Sequence, residues 1–199
     1  MELHDLLTKT KCAVIVVDVQ NDYCSKDGAC AKKGSDVSGV DKMIPNLQFL
    51  LDTAHKNGMP VIFIQTIHTD ETDAESWTAR SAGKSSAVCR PGSWGIEFYK
   101  VSPQDNDIIV NKHRYSAFIH TRLESVLHTL KAETIIVCGV ATNVCVESTA
   151  RDGYMLDFNL ILAEDCCSEF IPESHELTCR NIRERFGKVA TSQEIAAAF

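Results

Sequence analysis

Six short apolar runs, spaced along the chain, constrain its fold more than any other feature. They extend from Cys12 to Asp18, Pro60 to Ile64, Asp107 to Lys112, Thr134 to Cys138, Asn159 to Ala163 and Gly187 to Ala190. Most are rich in Val and Ile and lack the polar alternation of a half-exposed strand, so they read as strands buried on both faces. Helical spacing fills the gaps. Ile44, Leu47, Leu50, Leu51 and Ala54 share one face, and the pattern stops at Asn57-Gly58, a helix-ending signal. Further helices are expected near Thr121 to Leu130, directly after Cys145, over residues 173–186 and at the C-terminus. This alternation predicts the α/β class, with a mainly parallel sheet covered by helices on both faces. No linker rich in Pro, Gly or Ser divides the 199 residues, so residues 1–199 read as one domain. Two segments interrupt the rhythm: a polar loop after Asp18 that carries Gly28 and Gly34, and residues 67–106, too long for a plain connection. Long loops in compact domains usually carry function.

Composition removes several classes of partner. Twenty Lys+Arg against 27 Asp+Glu give a formal charge of −7 with no basic cluster, which argues against a nucleic-acid surface. No apolar run is long enough to span a bilayer, and the acidic start Met1-Glu2-Leu3-His4-Asp5 does not resemble a secretory signal. A cytoplasmic location, a small-molecule substrate and self-association into a homo-oligomer are the expectations. The nine cysteines are odd in number and contain no Cys-x-x-Cys pair, so they read as reduced thiols. Cys12 and Cys138 serve as apolar fillers in strands. The adjacent Cys166-Cys167 pair is read as part of a loop.

Three polar residues stand at or just beyond strand ends: Asp18, Lys112 and Cys145. In doubly wound sheets the carboxyl edge is the ligand side. Taken singly, each has a structural explanation: a cap, a solvated strand-end charge, a buried filler. Taken together they form a hydrolytic set. A carboxylate can accept a thiol proton and return it to a leaving nitrogen, while an ammonium holds the carboxylate and steadies the thiolate. Cys145 is expected at a helix start, where unpaired N–H groups and the helix dipole lower a thiol pKa and can hold an oxyanion.

The stretches Val17-Asp18-Val19-Gln20-Asn21-Asp22-Tyr23, Lys112-His113-Arg114-Tyr115-Ser116-Ala117-Phe118 and Gly139-Val140-Ala141-Thr142-Asn143-Val144-Cys145-Val146 resemble, in this order, the landmarks of the isochorismatase-like cysteine hydrolases. That superfamily includes nicotinamidases, N-carbamoylsarcosine amidohydrolases, biuret hydrolases and ureidoacrylate amidohydrolases. The resemblance implies a three-layer α/β/α fold whose six-stranded sheet has the order 3-2-1-4-5-6. It also implies a catalytic triad of Asp18, Lys112 and Cys145, a cis Val140–Ala141 bond, and an oxyanion hole built from the backbone N–H groups of Ala141 and Cys145. The implied reaction is cleavage of a C–N bond in a small amide or ureide through a thioester, with no cofactor.

The metal site of nicotinamidases is built around an Asp-x-His pair. Here the matching positions read Thr66-Ile67-His68, so the carboxylate is missing and no bound metal is expected. The segments Gly92-Ser93-Trp94, Lys112 to Ser116 and Ala141 to Thr149 resemble ureidoacrylate amidohydrolases most. They imply a ureido or other small linear amide as substrate, with Tyr23, Trp94, Tyr115 and Arg114 as binding residues. A substrate carboxylate could meet Arg114 or His113, unless both face solvent. Phe118 is read as packing. Two alternatives stay open: a vinyl ether hydrolase of the isochorismatase type, which has no use for a thiolate, and a noncatalytic thiol sensor, which has no use for Asp18 and Lys112.

Overall fold

The computed structural model describes residues 1–80 and 87–199. Strands β1 (Cys12–Val17), β2 (Val61–Thr66), β3 (Ile108–Lys112), β4 (Thr134–Val140), β5 (Asn159–Ser168) and β6 (Lys188–Ala190) form one sheet in the order β3-β2-β1-β4-β5-β6. Every neighbouring pair is parallel. Strands β1 and β4 lie at the centre and are buried at every position, which is why their sequences are continuous apolar runs. Helices α1 (Leu3–Lys9), α2 (Asn21–Cys24), α3 (Ala29–Lys32), α4 (Val40–Lys56), α5 (Glu75–Arg80), α6 (Leu123–Leu130), α7 (Glu147–Met155), α8 (Pro172–Arg185) and α9 (Ser192–Ala197) flank it.

The longest helix shows how pattern becomes packing. On α4 the buried residues are Val40, Met43, Leu47, Leu50, Leu51 and Ala54, one stripe at helical spacing that packs on β5. It ends at Asn57, followed by Gly58 at φ +65°, as the Asn-Gly signal predicts.

Register fixes where the chemistry is. Val17 of β1 lies opposite Ile64 of β2 and Gly139 of β4, and Thr66 of β2 lies opposite Lys112 of β3. Asp18, Thr66, Lys112 and the turn after Val140 therefore emerge at one carboxyl edge. Gly139 makes the central approach possible. It sits at φ +118° beside a register shift between β4 and β5, and a Cβ there would lie 2.1 Å from Val17 O.

The polar loop after Asp18 contains the one-turn helices α2 and α3, too short to leave a readable period. The 67–106 segment holds α5 and a 3₁₀ turn at Trp94–Ile96. Its middle, residues 81–86, lies outside the described residues. Strand β5 continues to Ser168, so Cys166 and Cys167 are buried strand residues rather than part of a loop. The acidic pair Glu164-Asp165 hides the continuation in the sequence. Asp165 is accommodated because its carboxylate accepts Ser192 N–H and Ser192 Oγ–H, each at 2.7 Å.

Candidate active site

Asp18, Lys112 and Cys145, which come from three different strand ends, converge on the floor of a cavity of about 640 Å³. Asp18 follows β1 with φ +54°, a conformation uncommon for a residue with a side chain. Its N–H donates to Ile64 O at 3.1 Å. The Thr66 hydroxyl donates to Asp18 Oδ1 at 2.8 Å, which turns Oδ2 toward Lys112 Nζ at 2.7 Å. That contact is an ion pair without an aligned hydrogen bond, so Oδ2 keeps a lone pair for another proton. Asp18 and Lys112 are each only 1% exposed.

The Lys112 ammonium donates to Arg114 O at 2.8 Å and Cys145 Sγ at 3.5 Å and forms its ion pair with Asp18 Oδ2. Its stem thus spans the distance from β3 to β1. Burial works against its charge, but the Asp18 carboxylate and the Cys145 sulfur outweigh it, and the Lys112 pKa lies above the ordinary lysine value.

Cys145 differs electrostatically from the expectation. It lies within a wide turn, Thr142–Val146, in which Val144 and Val146 both donate their N–H groups to Ala141 O, and α7 begins only at Glu147. The Glu169 carboxylate accepts the Asn143 N–H at 2.9 Å and partly neutralises the positive end of that turn. Burial pushes the Cys145 thiol up, Lys112 opposes this, and Asp18 adds to it. These surroundings favour the thiol over the thiolate, with the Asp18 carboxylate next to it as a proton acceptor. The Val140–Ala141 peptide bond ahead of this turn is cis. Thr149 pins the turn by donating to Cys145 O at 2.7 Å and accepting the Ala117 N–H at 3.0 Å.

Of the expected substrate contacts, Tyr23, Arg114 and Tyr115 line the cavity, as does His113. Trp94 does not. The residue is 49% exposed, and its backbone carbonyl accepts from Asn21 Nδ2 at 2.9 Å. Gly95 next to it packs against Asp22 so closely that a Cβ would meet the carboxylate at 2.0 Å, which fixes this turn behind the wall. Phe118 stacks with Phe158 and is packing.

Sequence reasoning missed several residues that shape the cavity. Gln20 is fully buried: its Oε1 accepts the Thr66 N–H at 2.7 Å, and its Nε2 donates to Thr66 O and Ile96 O at 3.0 and 2.9 Å. Asp22 accepts the Cys89 and Ala29 N–H groups at 2.7 and 3.0 Å. The polar motif after Asp18 is thus a set of clamps that hold the loops around the site. His68 pairs with Asp73 at 2.9 Å and stacks on Trp77 at 4.1 Å between ring centroids, and all three line the cavity. Burial lowers the His68 pKa against the pull of Asp73. Its role is to dock α5 on the end of β2. No group of three or more His, Cys, Asp or Glu side chains among the described residues is arranged to hold a metal ion.

The family model for the isochorismatase domain matches residues 12–194. Curated relatives include the ureidoacrylate amidohydrolase RutB of Acinetobacter baylyi, 33% identical over 97% of this chain and 85% of its own length. The RutB of Caulobacter segnis is 34% identical over 94% of this chain and 85% of its own length. Among solved structures, a cysteine hydrolase from Pseudomonas syringae pv. phaseolicola superposes with a TM-score of 0.87 at 27% identity, covering 100% of this chain and 93% of that one. The nicotinamidase PncA of Bacillus subtilis superposes with a TM-score of 0.76 at 25% identity, covering 90% and 99%.

Proposed function

The chain belongs to the isochorismatase family, and from that membership we propose that it is a cysteine hydrolase cleaving a C–N bond of a small amide or ureide. The observation that carries the proposal is the cluster at the cavity floor, where one buried ammonium touches both a carboxylate at 2.7 Å and a thiol sulfur at 3.5 Å. The relatives named as ureidoacrylate amidohydrolases and nicotinamidase act on such bonds, which supports the same reaction class here.

In the first step the Cys145 S–H proton passes to Asp18 as the sulfur attacks the substrate carbonyl carbon. Lys112 steadies the negative charge on sulfur while it exists, which compensates for the raised thiol pKa. The carbonyl π electrons move onto oxygen, and the backbone N–H groups of Ala141 and Cys145 form the oxyanion hole. Collapse breaks the C–N bond, and Asp18 delivers its proton to the departing nitrogen. Asp18 then takes a proton from water as the hydroxide adds to the thioester. Thiolate departs, the acid is released, and the proton returns to sulfur. Thr66 holds Asp18 in the orientation both transfers need.

The test is ammonia release from nicotinamide, biuret, N-carbamoyl amino acids and ureidoacrylate by the wild-type protein and by Cys145→Ala. Release confined to the wild type is the expected result. Equal release by Cys145→Ala, or none from any compound by a protein whose thiol alkylates normally, contradicts the proposal.

A further inference from the structure

Helix α8 packs against the turn that carries Cys145, and its side chains there take part in no step of the reaction described above. His175 Nδ1 lies 3.0 Å from Thr142 Oγ1, and His175 Nε2 lies 3.6 Å from Cys179 Sγ, one helical turn further on. Thr142 is fully buried, and among the described residues its hydroxyl has His175 as its one hydrogen-bond partner. Neither Thr142 nor His175 lines the cavity, while Ala141, Val144 and Cys145 of the same segment do. The two side chains therefore meet outside the cavity and can reach the chemistry only through the backbone of the turn. A neutral imidazole has one N–H donor and one acceptor nitrogen, and both the Thr142 hydroxyl and the Cys179 thiol can donate or accept, so either ring tautomer satisfies both contacts. Burial pushes the Cys179 thiol up to about 11 and lowers the His175 pKa against the pull of Glu164, Glu169 and Glu176, which favours the uncharged ring and thiol.

We propose that His175 is a positioning residue for the oxyanion hole, holding the Thr142–Val146 turn through the Thr142 hydroxyl so that the Ala141 and Cys145 N–H groups point at the substrate oxygen. This rests on the hydrolase reading above, in which those two N–H groups receive the oxyanion. Thr142 directly follows Ala141, so whatever fixes its side chain limits the freedom of the backbone beside the first donor. The other bonds of the turn run elsewhere: Val144 and Val146 donate to Ala141 O, Glu169 holds the Asn143 N–H, and Thr149 of α7 holds Cys145 O. The Thr142 hydroxyl is what ties the turn to α8 at its start. An oxyanion donor works only at hydrogen-bonding distance from the developing charge, and a displacement of about 1 Å can cost on the order of a hundredfold in rate. The sulfur is held separately, by Lys112. Loss of His175 therefore loosens the hole more than the nucleophile.

The test separates the hole from the thiol. His175→Ala, His175→Asn, His175→Gln and Thr142→Val are compared with the wild type in three assays: kcat and KM on a compound of the ammonia-release panel, iodoacetamide alkylation of Cys145 across pH, and protection of Cys145 from alkylation by propanal. Propanal adds reversibly, its carbonyl carbon bonding to sulfur while the thiol proton passes to the oxygen that enters the hole. His175→Ala and Thr142→Val should each lower kcat by about tenfold or more with KM nearly unchanged, and should weaken propanal protection, since a displaced donor loses part of what a deleted one would. The alkylation pH profile should stay that of the wild type. His175→Asn sets an amide where Nδ1 stood and should recover part of kcat, whereas His175→Gln can replace only Nε2 and should not. The double variant His175→Ala with Thr142→Val should be no slower than the slower single. Buried Cys138 and Cys167 staying unmodified marks an intact fold, and if His175→Ala exposes them the Asn and Gln pair carries the comparison. An unchanged kcat, no recovery with His175→Asn, additive losses, or a shifted alkylation profile overturns the proposal, and wild-type turnover then leaves the hydrolase reading standing. If the wild type turns over nothing, the hydrolase reading falls and propanal decides the positioning alone: protection that weakens in His175→Ala supports it, and equal or absent protection overturns it.

Discussion

At the scale of single residues, the account turns on how one ammonium serves two neighbours. Lys112 is buried against Asp18, so Lys112→Met leaves an uncompensated carboxylate at the cavity floor and should cost about 3–5 kcal/mol of stability. Adding Asp18→Asn to that variant should recover much of the loss, since the two costs are coupled rather than additive. Urea denaturation of the four proteins checks this, and strict additivity would contradict the pairing. The raised Cys145 pKa has its own signature in solution. A thiol that stays protonated through neutral pH gains thiolate about tenfold for each pH unit. Iodoacetamide alkylation of the ligand-free protein, followed at the Cys145 peptide, should therefore climb steadily from pH 7 to pH 9. A plateau below pH 8 would show a preformed thiolate and restore the helix-dipole expectation. A helix start is legible in sequence, but the burial of the sulfur and the Glu169 carboxylate on the turn, both of which oppose the dipole, are tertiary facts.

At the scale of elements, the sheet builds the site by bringing three strand ends to one edge. The six strands were legible because central parallel strands are apolar without interruption, and the Asn-Gly stop of α4 was legible because left-handed ends favour glycine. The one-turn helices α2 and α3 were not, because a single turn leaves no period, and Glu164-Asp165 concealed the outer half of β5. Gly139 was legible only as part of a motif. Its role comes from the close approach of β1, and Gly139→Ala should cost about 2 kcal/mol or more, with activity lost in the same variant. Thermal unfolding measures it, and a wild-type melting temperature would contradict the close packing. Thr66→Val tests the clamp on Asp18 from β2. It keeps shape and removes the hydroxyl donor, so kcat should fall by about tenfold with the fold intact. An unchanged kcat would show that Lys112 alone orients the carboxylate.

At the scale of the whole molecule, the negative formal charge bears on which partners the chain can meet. A surface rich in Asp and Glu disfavours nucleic acid. No helix among the described residues is long and apolar enough to cross a membrane. Asp18, Lys112 and Cys145 were readable as three residues at strand ends, but the reach of Lys112 from β3 past β2 to Asp18 was not, because it depends on how a long side chain lies in the folded site. The walls were less readable, because Arg80, Trp77 and His68 sit in a long segment whose helix, α5, is only six residues. Trp94 illustrates the opposite error: an aromatic near the right motif that is half exposed and does not line the cavity.

The central claim is that Cys145 becomes covalently acylated during turnover, and intact-mass spectrometry of acid-quenched reactions with a hydrolysed ureide tests it most directly. A mass increase equal to the substrate's acyl fragment, mapped to Cys145 and absent in Cys145→Ala, is the predicted result. Multiple turnovers with no adduct at any quench time, together with sustained hydrolysis by Cys145→Ala, would contradict it.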